Sequence, residues 1–68
     1  MEIKNEKGEI FEYEVYVRNL QNQKVFSKYF NGYYEVAKFL QRCKYSKKVK
    51  ALYVLNDYGY TIEDFLYR

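Results

Sequence analysis

Two stretches near the N-terminus alternate apolar and polar residues with a period of two, which is the pattern of half-buried β-strands. The first covers residues 10–18 and is rich in β-branched and aromatic side chains, and the second covers residues 24–30. The intervening residues 19–23 are mostly Asn and Gln, which are typical of turns. The pattern therefore predicts a β-hairpin, with Asn22 as the residue expected in a left-handed conformation.

Cross-strand preferences favour one register for this hairpin. Pairing Val17 with Val25 keeps the valines of both strands on one face. Two favourable pairs then form on the other face, Glu14 with Lys28 and Tyr16 with Phe26. A slip by one residue would turn the valines to solvent, so we expect the Val17–Val25 register.

The apolar spacing changes after Asn31-Gly32, where a helix is expected with Gly32 as its N-cap. From Tyr33 to about Lys44 the apolar residues recur at helical spacing: Val36, Phe39, Leu40 and Cys43. Residues 49–55 form the most apolar run of the chain and predict a central strand. Residues 56–59 read as the turn that follows it.

The last segment fits two structures. Thr61 and Asp64 have the spacing of a capping box, and three apolar residues follow at helical spacing: Ile62, Phe65 and Leu66. These features favour a short C-terminal helix over a fourth strand. The sequence thus predicts one α+β domain over residues 1–68, in the order ββαβ plus a terminal helix, with an antiparallel-containing sheet of about three strands. Its expected core is Val15, Val17, Val36, Phe39, Leu40, Leu52 and Val54.

Composition argues against enzyme chemistry. A chain of 68 residues buries only about 60% of its unfolded surface, and this one has a single cysteine, Cys43, and no histidine. It therefore lacks the commonest general base and the usual ligands of a structural metal, so we expect no catalytic residues, metal or cofactor. Cys43 falls on the apolar helix stripe and reads as a buried structural residue. Ten tyrosines and five phenylalanines are the available source of core packing.

The N-terminal residues are polar and hold no apolar run, so we expect neither a signal peptide nor a membrane anchor. A lone thiol without an export signal predicts a cytoplasmic protein with no membrane contact. Net charge is +3, but acidic residues dominate residues 1–14 whereas basic residues dominate residues 15–50. The charge pattern therefore directs attention to the middle of the chain.

The most basic stretch allows two interpretations. Its residues are Lys38, Arg42, Lys44, Tyr45, Lys47, Lys48 and Lys50. As a functional site, it would contact the phosphates of a nucleic acid, with Tyr45 available to stack on a base. As ordinary surface, cations at a helix C-terminus complement its dipole, and lysine-rich connectors keep a protein soluble.

The predicted register also places rings and charges together on the hairpin face opposite the valines. The candidate partner-binding residues there are Tyr16, Arg18, Phe26, Lys28 and Phe30. Tyrosine and arginine are enriched at protein interfaces, so this face would bind a protein partner or a second copy of the chain. The competing interpretation is that the N-terminal tail and the last helix cover it. Tyrosines expected in the core are Tyr13, Tyr29, Tyr33 and Tyr53, and several of Tyr16, Tyr34, Tyr45, Tyr58, Tyr60 and Tyr67 should be exposed.

Two segments, the aromatic-rich helix entry over residues 30–40 and the lysine-rich exit over residues 44–50, carry a resemblance. The chain resembles small orphan proteins of phages and mobile elements of low-GC Gram-positive bacteria. That resemblance implies a binder that modulates or inhibits another protein, or a small nucleic-acid-associated factor. The leading hypothesis is a non-enzymatic interaction protein that presents a Tyr-rich sheet face, and the alternative is nucleic-acid binding through residues 38–50.

Overall fold

The structure, a computed structural model, describes residues 1–67. Five strands and two helices follow one another along those residues. In chain order they are β1 (Ile3–Lys4), β2 (Ile10–Phe11), β3 (Tyr13–Asn19), β4 (Val25–Phe30), α1 (Tyr33–Tyr45), β5 (Val49–Leu55) and α2 (Ile62–Leu66). The α+β class, the element order from the first long strand onward and the C-terminal helix are confirmed.

The central element is β3, which pairs antiparallel with β4 on one side and with β5 on the other. Both helices pack on the same face of this three-stranded sheet. The apolar stripe of α1 meets the alternate residues of β3 and β5, and the buried cluster is Tyr13, Val15, Val17, Val36, Leu40, Val54 and Phe65. Of the predicted core, Phe39 and Leu52 are only half-buried. The face of the sheet away from α1 is called the open face below.

The predicted hairpin register is wrong by one residue. Val17 pairs with Phe26, and Val25 pairs instead with Arg18 on the open face. The valines of β3 stay buried because α1 covers them, so the slip moves only the side chains of β4. An edge strand that is half-exposed on both faces constrains its register weakly. The turn also differs from prediction, since Gln23 and not Asn22 has the positive φ, at 63°.

Residues 1–11 form a small antiparallel ribbon of β1 and β2, which the sequence pattern did not predict. The predicted strand over residues 10–18 is broken by a bend at Glu12, so its first two residues pair with β1 instead. The ribbon turns at Gly8, whose φ of 81° suits a glycine. It contacts the open face, because the ring of Phe11 lies 5.4 Å from that of Tyr29. Of the alternative in which the N-terminal tail and the last helix cover the predicted partner face, the tail does contact the open face at Tyr29, whereas α2 packs on the opposite face with α1.

The helix ends follow the predicted local signals. Gly32 is the N-cap of α1 in extended conformation, and Glu35 lies in the first turn. Thr61 and Asp64 form the capping box of α2. A further bond fixes the two helices together, since the hydroxyl of Tyr33 donates to the carbonyl of Asp64 at 2.8 Å.

Candidate interaction surfaces

The five residues predicted to form one partner-binding face lie on two sides of the sheet. Tyr16 and Arg18 are on the open face. Phe26, Lys28 and Phe30 are on the helix side, because each of them pairs with a buried residue of β3. As a single face the set is therefore wrong, and its members belong to two separate surfaces.

The uncovered part of the open face carries two rings and two cations. Tyr16 pairs with Tyr53 across β3 and β5, and their ring centroids are 6.3 Å apart. Arg18 pairs directly with Lys50, and both side chains are exposed. Like charges opposite each other destabilise a sheet, so an anion would be favoured here. The prediction that Tyr53 is a core residue is wrong, since it is 57% exposed.

Glu14 is the hydrogen-bond acceptor for the part of the open face that lies on β4. Its carboxylate accepts hydrogen bonds from the hydroxyls of Ser27 at 2.7 Å and Tyr29 at 3.3 Å. Burial, followed by the charge of Glu14, raises the pKa values of Tyr16 and Tyr29 above the usual value for tyrosine. These tyrosines therefore remain neutral near pH 7, and Glu14 acts as a structural acceptor.

The outer side of β4 is an open sheet edge. The N–H of Asn19 donates to the carbonyl of Lys24 at 2.8 Å, which fixes the alternation of the β3–β4 ladder. By that alternation, the N–H and C=O groups of Val25, Ser27 and Tyr29 point away from β3. Within residues 1–67 these outward groups have no hydrogen-bond partner. β4 thus offers three residues of backbone donors and acceptors to another chain.

The surroundings of β4 leave room along this edge. Val25 and Phe26, on opposite faces of the strand, are 52% and 38% exposed. A cavity of about 590 Å³ separates the turn at residues 5–7 from β4. The opposite sheet edge is different, because the start of α2 lies beside residues 52–54 of β5 and leaves only about 150 Å³.

A second cleft, of about 400 Å³, lies on the helix side of β4. We call it the basic cleft, and it is lined by Lys28, Phe30, Glu35, Lys38, Phe39 and Arg42. The rings of Phe30 and Phe39 are 5.3 Å apart and form its apolar floor. Lys38 and Arg42, predicted as part of a nucleic-acid segment, belong here.

The rest of the predicted basic segment lies at the far end of the sheet. The N–H of Leu20 donates to the carbonyl of Lys48 at 2.8 Å and joins the β3–β4 turn to the connector after α1. This contact gathers cations from both segments into what we call the basic end: Arg18, Lys24, Lys47, Lys48 and Lys50. The ammonium of Lys44 lies over the rings of Tyr67 at 4.8 Å and Tyr45 at 5.7 Å.

An aromatic cluster joins the opposite end of β3 to the helices. Tyr33 stacks on Phe65 with centroids 4.6 Å apart, and Tyr13 and Tyr60 make edge contacts with Phe65. The hydroxyl of Tyr58 donates to Glu12 at 3.3 Å, and the Glu12 charge raises the pKa of Tyr58. This cluster packs the core. Four of the tyrosines predicted as surface residues are exposed, namely Tyr34, Tyr45, Tyr58 and Tyr67.

Cys43 is buried, as predicted, and burial raises the pKa of its thiol, which therefore stays protonated near pH 7. Residues 1–67 contain no group of three or more potential metal ligands. Neither helix in that range has the length and apolar composition needed to cross a membrane.

Comparison with known proteins does not supply an identity for these surfaces. No protein-family model matches the chain, and no curated protein or solved structure matches it. Function must therefore be inferred from the open edge, the basic cleft and the basic end themselves.

Proposed function

We propose that this protein is a non-enzymatic binding module that takes a protein partner onto the outer edge of β4. The observation that supports the proposal is the set of outward N–H and C=O groups at Val25, Ser27 and Tyr29, which have no partner within residues 1–67. An extended segment of another protein would satisfy them by strand addition, a common mode of peptide recognition. The buried free thiol of Cys43 suits the reducing cytoplasm, where we place this activity.

The exposed side chains of β4 support the same proposal. An edge strand with apolar side chains is an aggregation hazard unless something covers it. Val25 and Phe26 would be covered from opposite faces by alternate side chains of an added strand. The exposed ring of Tyr53, with Tyr16 beside it, gives the open face a second contact area for the body of the same partner.

A proline at Ser27 tests this mode of binding. The Ser27→Pro variant removes one outward N–H, and an edge strand tolerates proline where that N–H faces solvent. The matched control is Ser27→Ala, which also loses the bond to Glu14 but keeps the N–H. Immobilised wild-type and variant proteins would be incubated with nuclease-treated lysate of the organism that encodes the chain.

We expect the same protein to be retained by the wild type and by Ser27→Ala, and to be lost with Ser27→Pro. Circular dichroism and a thermal melt would verify that both variants fold. Equal retention by Ser27→Pro and Ser27→Ala would contradict strand addition at β4. A protein that is retained from untreated lysate but not from nuclease-treated lysate would point to nucleic acid instead.

Nucleic-acid binding at the basic end is the second candidate function. Its support is the Leu20–Lys48 contact, which brings together cations of two segments that contain no acidic residue, 18–24 and 44–50. The test is fluorescence anisotropy with labelled single-stranded and duplex oligonucleotides. Affinity should fall with salt, with a log–log slope of roughly −0.7 to −0.9 for each phosphate neutralised. Replacing Lys44, Lys47 and Lys48 by Gln should abolish binding, and no binding at low ionic strength would eliminate this candidate.

A further inference from the structure

The basic cleft adjoins the open edge of β4, and together they specify a kind of partner. We propose that the occupant is an acidic extended segment of another protein, which pairs with β4 and packs an apolar side chain onto the floor formed by Phe30 and Phe39. This inference rests on the proposed function and adds the chemistry of the ligand to it.

The cleft has one wall from each of two elements. Lys28 and Phe30 come from the helix-facing side of β4. The wall from α1 consists of residues at positions i, i+3, i+4 and i+7, which share one face of a helix: Glu35, Lys38, Phe39 and Arg42. Because side chains of a strand alternate, every second residue of a strand added to β4 would point into this cleft.

Charge selects an acidic occupant. Three cations line the cleft, namely Lys28, Lys38 and Arg42, against one carboxylate, Glu35. Within residues 1–67 the ion pairs join Met1 to Asp57 and Lys4 to Glu2, so none of these four side chains is neutralised within 4.0 Å. On the open-face side of β4, Glu6 and Lys7 offset each other and the carboxylate of Glu14 accepts hydrogen bonds from Ser27 and Tyr29, so the attraction of acidic side chains is confined to the cleft side. Asp or Glu beside the apolar residue in the cleft would therefore be attracted.

A second copy of this chain fits the same edge poorly. Pairing β4 with β4 would bring the lysines of both copies together without an acidic residue between them. Like charges that face each other across a sheet are destabilising, and lysines on edge strands are a common means of preventing such pairing.

A nucleic acid fits it poorly for a different reason. The outward groups of Val25, Ser27 and Tyr29 alternate donors with acceptors along the strand. A peptide backbone has the complementary alternation, whereas a phosphate backbone offers acceptors to match only the N–H groups. The basic cleft therefore favours an acidic ligand, and the open edge of β4 favours a polypeptide over a nucleic acid.

The test is a selection of random linear peptides, displayed on phage, against the immobilised wild-type protein. We expect enriched peptides to carry Asp or Glu around one large apolar residue. The best peptide would then be synthesised with a fluorescent label, and its affinity measured for five proteins: the wild type, Ser27→Pro, Ser27→Ala and two charge-reversed double variants. The first double variant, Lys28→Glu with Lys38→Glu, alters the cleft. The second, Lys47→Glu with Lys48→Glu, makes the same change in net charge at the basic end.

The cleft double variant should weaken binding by about tenfold or more, since that factor corresponds to about 1.4 kcal/mol shared by two charge reversals. The matched double variant should change the affinity by less than about twofold at 0.15 M salt, because its charges lie away from the cleft. Thermal melts of all variants would identify any that fail to fold. For such a case, Lys28→Gln with Lys38→Gln replaces the reversal and should weaken binding in the same direction.

Each contrary outcome has a distinct meaning. Peptides that depend on the N–H of Ser27 but carry no acidic preference would overturn this inference and leave strand addition standing. Peptides that bind Ser27→Pro as tightly as Ser27→Ala would overturn strand addition and the inference with it. Oligonucleotide binding that is lost on reversing Lys28 and Lys38 would assign the cleft to nucleic acid. A selection that enriches no peptide would also overturn the inference.

Discussion

The inner strand β3 and the edge strand β4 lie side by side but have opposite surroundings. β3 has a partner strand on each side, and its two valines, Val15 and Val17, are fully buried under α1. β4 has one partner strand, and only Ser27, Tyr29 and Phe30 of its residues are even half-buried. Burial of apolar surface stabilises the fold at about 25 cal/mol per Å². Residues of β3 therefore maintain the fold, whereas substitutions at the exposed β4 residues Val25, Phe26 and Lys28 should cost little stability.

The largest effect should separate a residue of the core from one of the cleft. Leu40 is 1% exposed, and Leu40→Ala should lower the free energy of unfolding by about 4 kcal/mol. Phe39 lines the basic cleft and is half-buried, so Phe39→Ala should cost about 2 kcal/mol despite removing a larger side chain. Urea unfolding of both variants measures the difference. A larger loss of unfolding free energy for Phe39→Ala than for Leu40→Ala would place Phe39 in the core and contradict its position in the basic cleft.

A second comparison tests whether the N-terminal ribbon covers the open face. Ile3 of β1 is 3% exposed, whereas Ile10 of β2, which pairs with Lys4, is 60% exposed. Ile3→Ala should therefore cost about 2 kcal/mol or more, whereas Ile10→Ala should stay within about 0.5 kcal/mol. Equal melting temperatures for these two variants would mean that the ribbon does not pack on the sheet.

A smaller effect concerns the capping box that starts α2. Thr61 and the carboxylate of Asp64 satisfy backbone groups at this helix end, and α2 supplies the buried Phe65. Thr61→Ala should cost about 1 kcal/mol, and Thr61→Ser should recover most of it. Chemical unfolding would measure both, and an unchanged midpoint for Thr61→Ala would show that the cap adds no stability.

The stability of the protein at alkaline pH should depend on the protonation of Tyr13. Burial raises the pKa of Tyr13 above 10.0, so the folded state holds this proton more tightly than the unfolded chain does. Its contribution is complete below pH 10.0 and is lost as the pH rises through the raised pKa. The melting temperature should therefore fall above that pH, and Tyr13→Phe should make the fall shallower. The same slope in both proteins would contradict a buried, protonated Tyr13.

The sequence pattern predicted the elements that have one buried side, and it missed the register of the edge strand, whose side chains are partly exposed. The alternation of β3 and the stripe of α1 were predictable because each has one side in the core. The register of β4 was not predictable, because side chains on both faces of this strand are partly exposed and either face tolerates a charged side chain. Consequently the predicted face of Tyr16 with Phe26 is divided between two surfaces. The ribbon of residues 1–11 was missed because two-residue strands carry almost no periodic signal.

Amide hydrogen exchange along β4 tests the central claim most directly. If the edge is open, the amides of Val25, Ser27 and Tyr29 exchange quickly, while those of Phe26 and Lys28, which point to β3, are protected. The measurement is residue-resolved exchange by NMR on the free wild-type protein, at a concentration where it is monomeric. This alternation is the predicted result. Uniform protection of all five amides would mean that the edge is already covered, and would contradict a binding site at β4.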